Sequence, residues 1–284
     1  MATLLILLSA ALYGVSPILV KVAYAYGVPP LTVLALRSTI AASCLWGWLT
    51  VTGRRIRVPR SSLAPLFTMG ATLVPAQVFP YFLALAYLPA SSASVLAYTY
   101  PLHVAWMGWL FLREPVRPDE GAILIGVVGG ALLVAGQTPS LGNSLGLVAV
   151  AAASLTAATY TVVARRVARH VLPLAAMAIL LPASAVPYWT AALVAGQLRW
   201  FIPLPALLAI AVSAAVAALA APFLVLAGLR EVPAARAAML GTLEPVVTVS
   251  LSVLLLRDAM TPIRAAGIAI VICGVTALHV RRSV

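Results

Sequence analysis

The chain aligns with itself, without a gap, at a fixed shift of 144 residues, and that duplication limits its fold more than any other feature. Pro89 meets Pro233, Pro101 meets Pro245, Arg113 meets Arg257, Pro118 meets Pro262 and Gly130 meets Gly274. Lys21, Pro29 and Phe79 fall on Arg165, Pro173 and Phe223, so the match spans nearly the whole length. Each half must therefore make the same set of elements. Those elements are strongly apolar: 63% of the residues are hydrophobic and 8% charged. A soluble domain carries roughly a quarter charged residues, so this chain cannot cover a water-facing surface.

A bilayer-crossing helix needs about 20 predominantly apolar residues. Ten stretches qualify, at about 3–25, 30–52, 64–87, 90–112, 119–136, 144–164, 172–195, 204–229, 233–256 and 262–280. The expected fold is an all-α membrane protein with two five-helix repeats, 1–136 and 145–284, joined by a polar linker at 137–144. Five helices per repeat make the second repeat enter from the opposite face, so the pair is expected to be inverted. The first stretch has no basic segment ahead of Leu4, and Lys21 follows its apolar run, so it reads as a retained helix rather than a signal peptide.

The net charge of +12 suggests nucleic acid only until the charges are placed. The side that holds the N-terminus collects 13 Lys and Arg, from Arg54 to Arg282, against five opposite: Lys21, Arg37, Arg199, Arg257 and Arg264. Cytoplasmic loops carry such an excess, which predicts cytoplasmic N and C termini and no nucleic-acid partner. The loop after the second helix, Arg54 to Arg60, is strongly basic, whereas its repeat equivalent holds only Arg199, as opposite insertion requires.

Glu244 is the one carboxylate deep in a stretch, where an acid costs about 2.5–3.5 kcal/mol on insertion scales. Three roles are open to it: pairing with a substrate ammonium, carrying a coupling proton, or hydrogen bonding between helices. The adjacent Pro245 leaves the carbonyl of Gly241 without its helical donor. Tyr100-Pro101 is the repeat equivalent, so two related helices are expected to kink near the midplane, where duplicated transporters place substrate.

Gln77 and Tyr81, four apart, share a face, as do Tyr100 and His103. With Tyr98 and Glu244 they are the candidate substrate pocket, amphipathic and aromatic. Anchoring at the interface is the competing reading for tyrosines, and the preferred one for Trp46, Trp48, Trp106, Trp109 and Trp200. Lys21 and Arg37 are candidate gating or structural cations, as Pro101 and Pro245 are candidate gating or structural kinks. Arg37 lies about seven residues, roughly 10 Å, into its helix. It is expected to find a structural partner or a substrate, and Lys21 to snorkel to the interface or to draw in a carboxylate.

Gly126 and Gly130, with Gly267 and Gly274, mark close helix packing inside the protomer in preference to a dimer face. Cys44 and Cys273 read as buried apolar thiols. Glu114, Asp119 and Glu120 cluster with Arg113 and Arg117, where a solvated cytoplasmic loop is the default expectation and local ion pairing and a gate are the alternatives. No nucleophile elbow, phosphate loop, metal cluster or paired carboxylate appears, so neither a cofactor nor a catalytic residue is expected.

Segment 89–114 runs Pro-Ala-Ser-Ser-Ala-Ser-Val-Leu-Ala-Tyr-Thr-Tyr-Pro-Leu and ends in Leu-Phe-Leu-Arg-Glu. It resembles the fourth helix of EamA-type drug/metabolite transporters, and segment 233–258, with Leu-Glu-Pro-Val-Val and Leu-Leu-Leu-Arg-Asp, resembles its duplicate. Leu36-Arg37 and Leu12-Tyr13-Gly14-Val15-Ser16-Pro17 also match that style. Within the superfamily the chain looks most like the YddG-type amino-acid exporters. The resemblance implies export of aromatic and other neutral amino acids and related metabolites across the bacterial inner membrane. It also implies a general role for Glu244 and Arg37, with alternating access through a midplane cavity. The small-molecule substrate and the bilayer would be the partners, for a monomer or a homodimer. The rival readings are a multidrug or lipophilic-cation exporter, an intramembrane lipid-modifying enzyme and a non-transporting assembly subunit.

Overall fold

The computed structural model describes residues 1–87, 97–135, 144–256 and 260–280, and these form helices with no strand. In chain order α1 is Ala2–Ala25, α2 Pro30–Val51 and α3 60–87. The described part of α4 is Tyr100–Leu112; α5 is Pro118–Ala135, α6 Ser144–Ala168 and α7 Pro173–Val194. Next come α8 at Leu204–Gly228, α9 at 234–256 and α10 at Pro262–Val280. Eight of these helices are long and apolar enough to cross a membrane. The protein is a multi-pass membrane protein. Pro89, Arg257, Asp258 and residues 137–143 of the expected linker 137–144 lie outside the described residues.

The helix contacts map onto themselves when the halves are exchanged. α1 packs on α9 as α6 packs on α4, and α3 on α6 as α8 on α1. α3 touches α7 as α8 touches α2, while α2–α7 and α5–α10 are pairs across the exchange. In the α5–α10 pair the backbones nearly meet. A Cβ added at Gly267 would lie 2.6 Å from the Gly130 carbonyl oxygen and 2.7 Å from Val134 N. Close packing within the protomer is thus the use of Gly130, Gly267 and Gly274, while Gly126 faces open space. Cys44 and Cys273 are exposed on the outer surface, not buried as their apolar neighbourhoods suggested. Helices that are apolar all round give no stripe by which to tell the lipid face from the core.

Prolines and helix breaks shape the interior, and neighbouring helices answer the carbonyls they free. Pro80 removes the donor to Ala76 O, and the Thr156 hydroxyl of α6 lies 3.0 Å from that oxygen. Pro182 does the same to Ala178 O, which accepts from Trp46 Nε1 at 3.0 Å. Helix α9 breaks at Thr242, whose N–H turns to Met239 O, and the freed Ala238 O accepts from the Tyr100 hydroxyl at 3.2 Å. The described part of α4 follows a turn at Tyr98-Thr99, and the 144-residue shift carries Tyr98 onto Thr242. The turn at Tyr98-Thr99 and the break at Thr242 thus stand at matching places, just ahead of Pro101 and Pro245.

Two helices also carry a π-helical stretch, Met69–Leu73 in α3 and Ala214–Ala220 in α8. Shifted by 144, the first falls on 213–217 and overlaps the second. Each ends just before a proline: Val74 N–H reaches back to Met69 O ahead of Pro75, and Ala221 N–H to Val216 O ahead of Pro222.

Candidate functional site

Between the helices lies a cavity of about 630 Å³, within the usual range for a small-molecule site. The helix breaks bring its wall together. The end of the first α9 segment contributes Ala238 and Gly241, and the second contributes Glu244 and Thr248. Gly14 of α1 packs so tightly on α9 that a Cβ there would lie 2.8 Å from Glu244 O. The Thr248 hydroxyl lies 3.0 Å from Gly14 O. These contacts fix the height of Glu244 against Tyr13 and Pro17 of α1, which also line the cavity.

Of the candidates read from the sequence, Gln77, Tyr81, Tyr98, Tyr100 and Glu244 line this cavity, and so does Arg37. His103 does not. Its Nδ1 lies 2.9 Å from the hydroxyl of Ser154, and Ser154 is the residue that faces the cavity. Pro101 is buried behind the wall, and Lys21 is exposed near the end of α1, away from the cavity. Pro245 follows Glu244 in the first turn of the second α9 segment. The pocket has tyrosines that sequence reasoning did not single out: Tyr13, Tyr160 and Tyr188. The Tyr188 ring meets Phe79 edge-on at 5.7 Å.

The charges are the unusual part. Arg37 makes no hydrogen bond or ion pair among the described residues, and its Nε is buried without a partner. The Glu244 carboxylate likewise accepts no hydrogen bond from the described residues, although its backbone carbonyl accepts from Thr248 at 3.1 Å. Tyr13 lies within electrostatic reach of both groups. The cavity thus presents one guanidinium and one carboxyl group, each with capacity left for a ligand, beside several tyrosines. No group of three or more metal-binding side chains occurs among the described residues.

The model of the EamA-like transporter family matches the chain twice, over residues 1–136 and 144–279. The chain belongs to the EamA-like transporter family. It is therefore a membrane transporter of the drug/metabolite type, and the family points to transport rather than enzymatic work. One solved crystal structure is similar over 98% of this EamA-like chain and 97% of its own, with a TM-score of 0.82. The two are 22% identical, so the likeness is one of fold. No curated protein matches the chain.

The acids after α4 correct the expected solvated loop. Asp119 does pair locally, with Arg117 at 3.3 Å in the open. Glu114 and Glu120 instead turn inward, their side chains 13% and 11% exposed, and pair with distant arginines, Arg165 and Arg236. Arg113 adopts left-handed backbone, φ 55°, and Glu114 N–H returns to Gly108 O at 3.1 Å, so the helix end itself aims Glu114 inward. Spacing along the chain cannot reveal pairs 51 and 116 residues apart.

Proposed function

We propose that this transporter exports amino acids, aromatic and other neutral ones, and related metabolites from the bacterial cytoplasm. The two halves, inverted in the membrane with both termini cytoplasmic, rock about the cavity to give alternating access. One observation carries the substrate reading: the cavity holds an unpartnered cation, Arg37, and an unpartnered acid, Glu244, in an aromatic wall. A zwitterion answers both charges at once, its carboxylate toward Arg37 and its ammonium toward Glu244. The tyrosines offer apolar area to its side chain and hydroxyls to its polar atoms. A wall with few fixed charges supports breadth, since one methylene changes affinity by only about 1–3 kcal/mol. The excess of Lys and Arg on one side supports the orientation.

A lipophilic cation would satisfy Glu244 alone and leave Arg37 facing like charge, so the zwitterion fits better. The deciding experiment is uptake of labelled amino acids into proteoliposomes, with and without an imposed pH gradient. Saturable uptake of large neutral amino acids, competed by zwitterions and not by quaternary amines, is expected. Flux of quaternary amines with none of any amino acid would overturn the reading. Glu244→Gln assigns the coupling: loss of any pH-gradient dependence makes Glu244 the proton carrier, and unchanged dependence removes it from that role.

A further inference from the structure

One carboxylate and one guanidinium tie four helices together just beyond one end of the cavity. Glu114, at the end of α4, accepts at Oε1 from Arg165 Nε of α6 at 2.9 Å and from Arg169. Its Oε2 accepts from the backbone N–H of Ala234, the first residue of α9, at 3.0 Å. Arg165 also donates from Nη1 to Leu229 O at the end of α8. Beside this knot Arg236 of α9 pairs with Glu120 of α5.

The knot sits one helical turn past the cavity wall on three helices at once. Thr161, Val225 and Ala238 line the cavity, and Arg165, Leu229 and Ala234 are each four residues away on the same helix. The Arg165 side chain is 8% exposed. The knot therefore lies between the cavity wall and the arginine-rich end on these three helices. Exposed ion pairs are worth little, but a buried, fully bonded pair strongly resists loss of one partner.

The two residues are also duplicated in kind. The 144-residue shift carries Glu114 to Asp258 and Arg165 to Lys21, acid to acid and base to base. Their helices, α4 and α6, correspond to α9 and α1, which also pack on each other. Lys21 is exposed, and Asp258 lies outside the described residues.

We propose that the Glu114–Arg165 knot, with Arg169 and the Ala234 N–H, is an ionic gate that closes the arginine-rich end of the cavity and breaks in every transport cycle. It releases α4 and α9 from α6 and α8, and it sets the population of the state open to that side. The gate rests on the transporter reading but not on which solute is carried.

The test follows the closed–open balance without any substrate. In a background lacking the two exposed thiols, Cys44→Ser and Cys273→Ser, the cavity substitution Ala157→Cys reports access. The readout is its alkylation rate by a membrane-impermeant maleimide, added to sealed vesicles from either side. Glu114→Gln should raise the rate from the arginine-rich side by about tenfold, the effect of losing one charge-assisted hydrogen bond, with no rise from the other side. Arg169→Gln, at a half-exposed position that folding tolerates, should raise it in the same direction. An unchanged rate in folded Glu114→Gln, or an equal rise from both sides, overturns the gate. If Glu114→Gln does not fold, Arg169→Gln decides by the same criteria.

Discussion

A guanidinium in an apolar wall is expected to find a carboxylate, and Arg37 has none among the described residues although Glu244 lines the same cavity. The physical consequence is a site whose field is set by two separated charges rather than cancelled by an internal ion pair. Removing one of them should cost binding more than folding. Arg37→Gln is expected to raise KM for a neutral amino acid roughly ten- to a hundredfold, the range for losing a charge-assisted hydrogen bond. Its melting temperature in detergent should stay near that of the parent. A large fall in melting temperature with KM unchanged would instead make Arg37 a structural cation. His103 illustrates the opposite case. It shares a face with Tyr100 in the sequence, yet it reaches the cavity only through the hydroxyl of Ser154, 2.9 Å away.

At the level of helices, two kinds of contact hold the bundle: backbone packing at glycine, and side chains that answer carbonyls freed by proline. The first is sensitive to a single methylene. Gly267→Leu is expected to destabilise the protein by about 1–3 kcal/mol, because the new side chain must push α5 off α10 at the Gly130 carbonyl. Thermal unfolding in detergent reads this loss, and Gly126→Leu, with nothing within 4 Å, should leave it unmoved.

The sequence made one layer of this legible. Pro101, Pro245 and the 144-residue shift pointed to the neighbourhood of the turn at Tyr98-Thr99 and the break at Thr242, because a proline disturbs its own stretch of helix and the duplication repeats it. Tyr13, Tyr160 and Tyr188 were hidden for a different reason. Each sits in a helix that is apolar on every face, so no polar stripe shows which way it points. The Arg165–Glu114 and Arg236–Glu120 pairs were hidden because tertiary packing alone brings their helix ends together.

For the whole molecule, orientation is the property that turns a cavity into a direction of transport. On the proposed orientation, which the asymmetry of Lys and Arg supports, the Arg54 to Arg60 loop is cytoplasmic and the α7–α8 loop outside. In the thiol-free background, Arg57→Cys should react with an impermeant maleimide only in inverted vesicles. Trp200→Cys, at a residue 79% exposed, should react only in right-side-out ones. Labelling of both from one side would remove the opposite insertion of the halves. The loops at the end opposite the arginine-rich one are held by lighter ties. Arg199 donates to the carbonyls of Tyr26 and Gly27 at 3.1 and 2.6 Å in solvent, and Leu31 N–H to Gln197 Oε1 at 3.3 Å.

The π-helical stretches in α3 and α8 carry a consequence for how such chains diversify. Each widened turn holds more residues than an α-turn for nearly the same rise, so the helix beyond it is rotated relative to the helix before it. Gln77, Val78 and Tyr81 lie just past the stretch Met69–Leu73, and all three owe their inward aim to that rotation. Loss of a single codon within 69–73 would restore regular winding and leave the span long enough to cross the bilayer. Those three side chains would keep nearly their place around the helix axis, because the widened turn is what absorbs the extra residue. A wide turn in each half can thus take up or give back one residue while the side chains that meet the solute keep their aim.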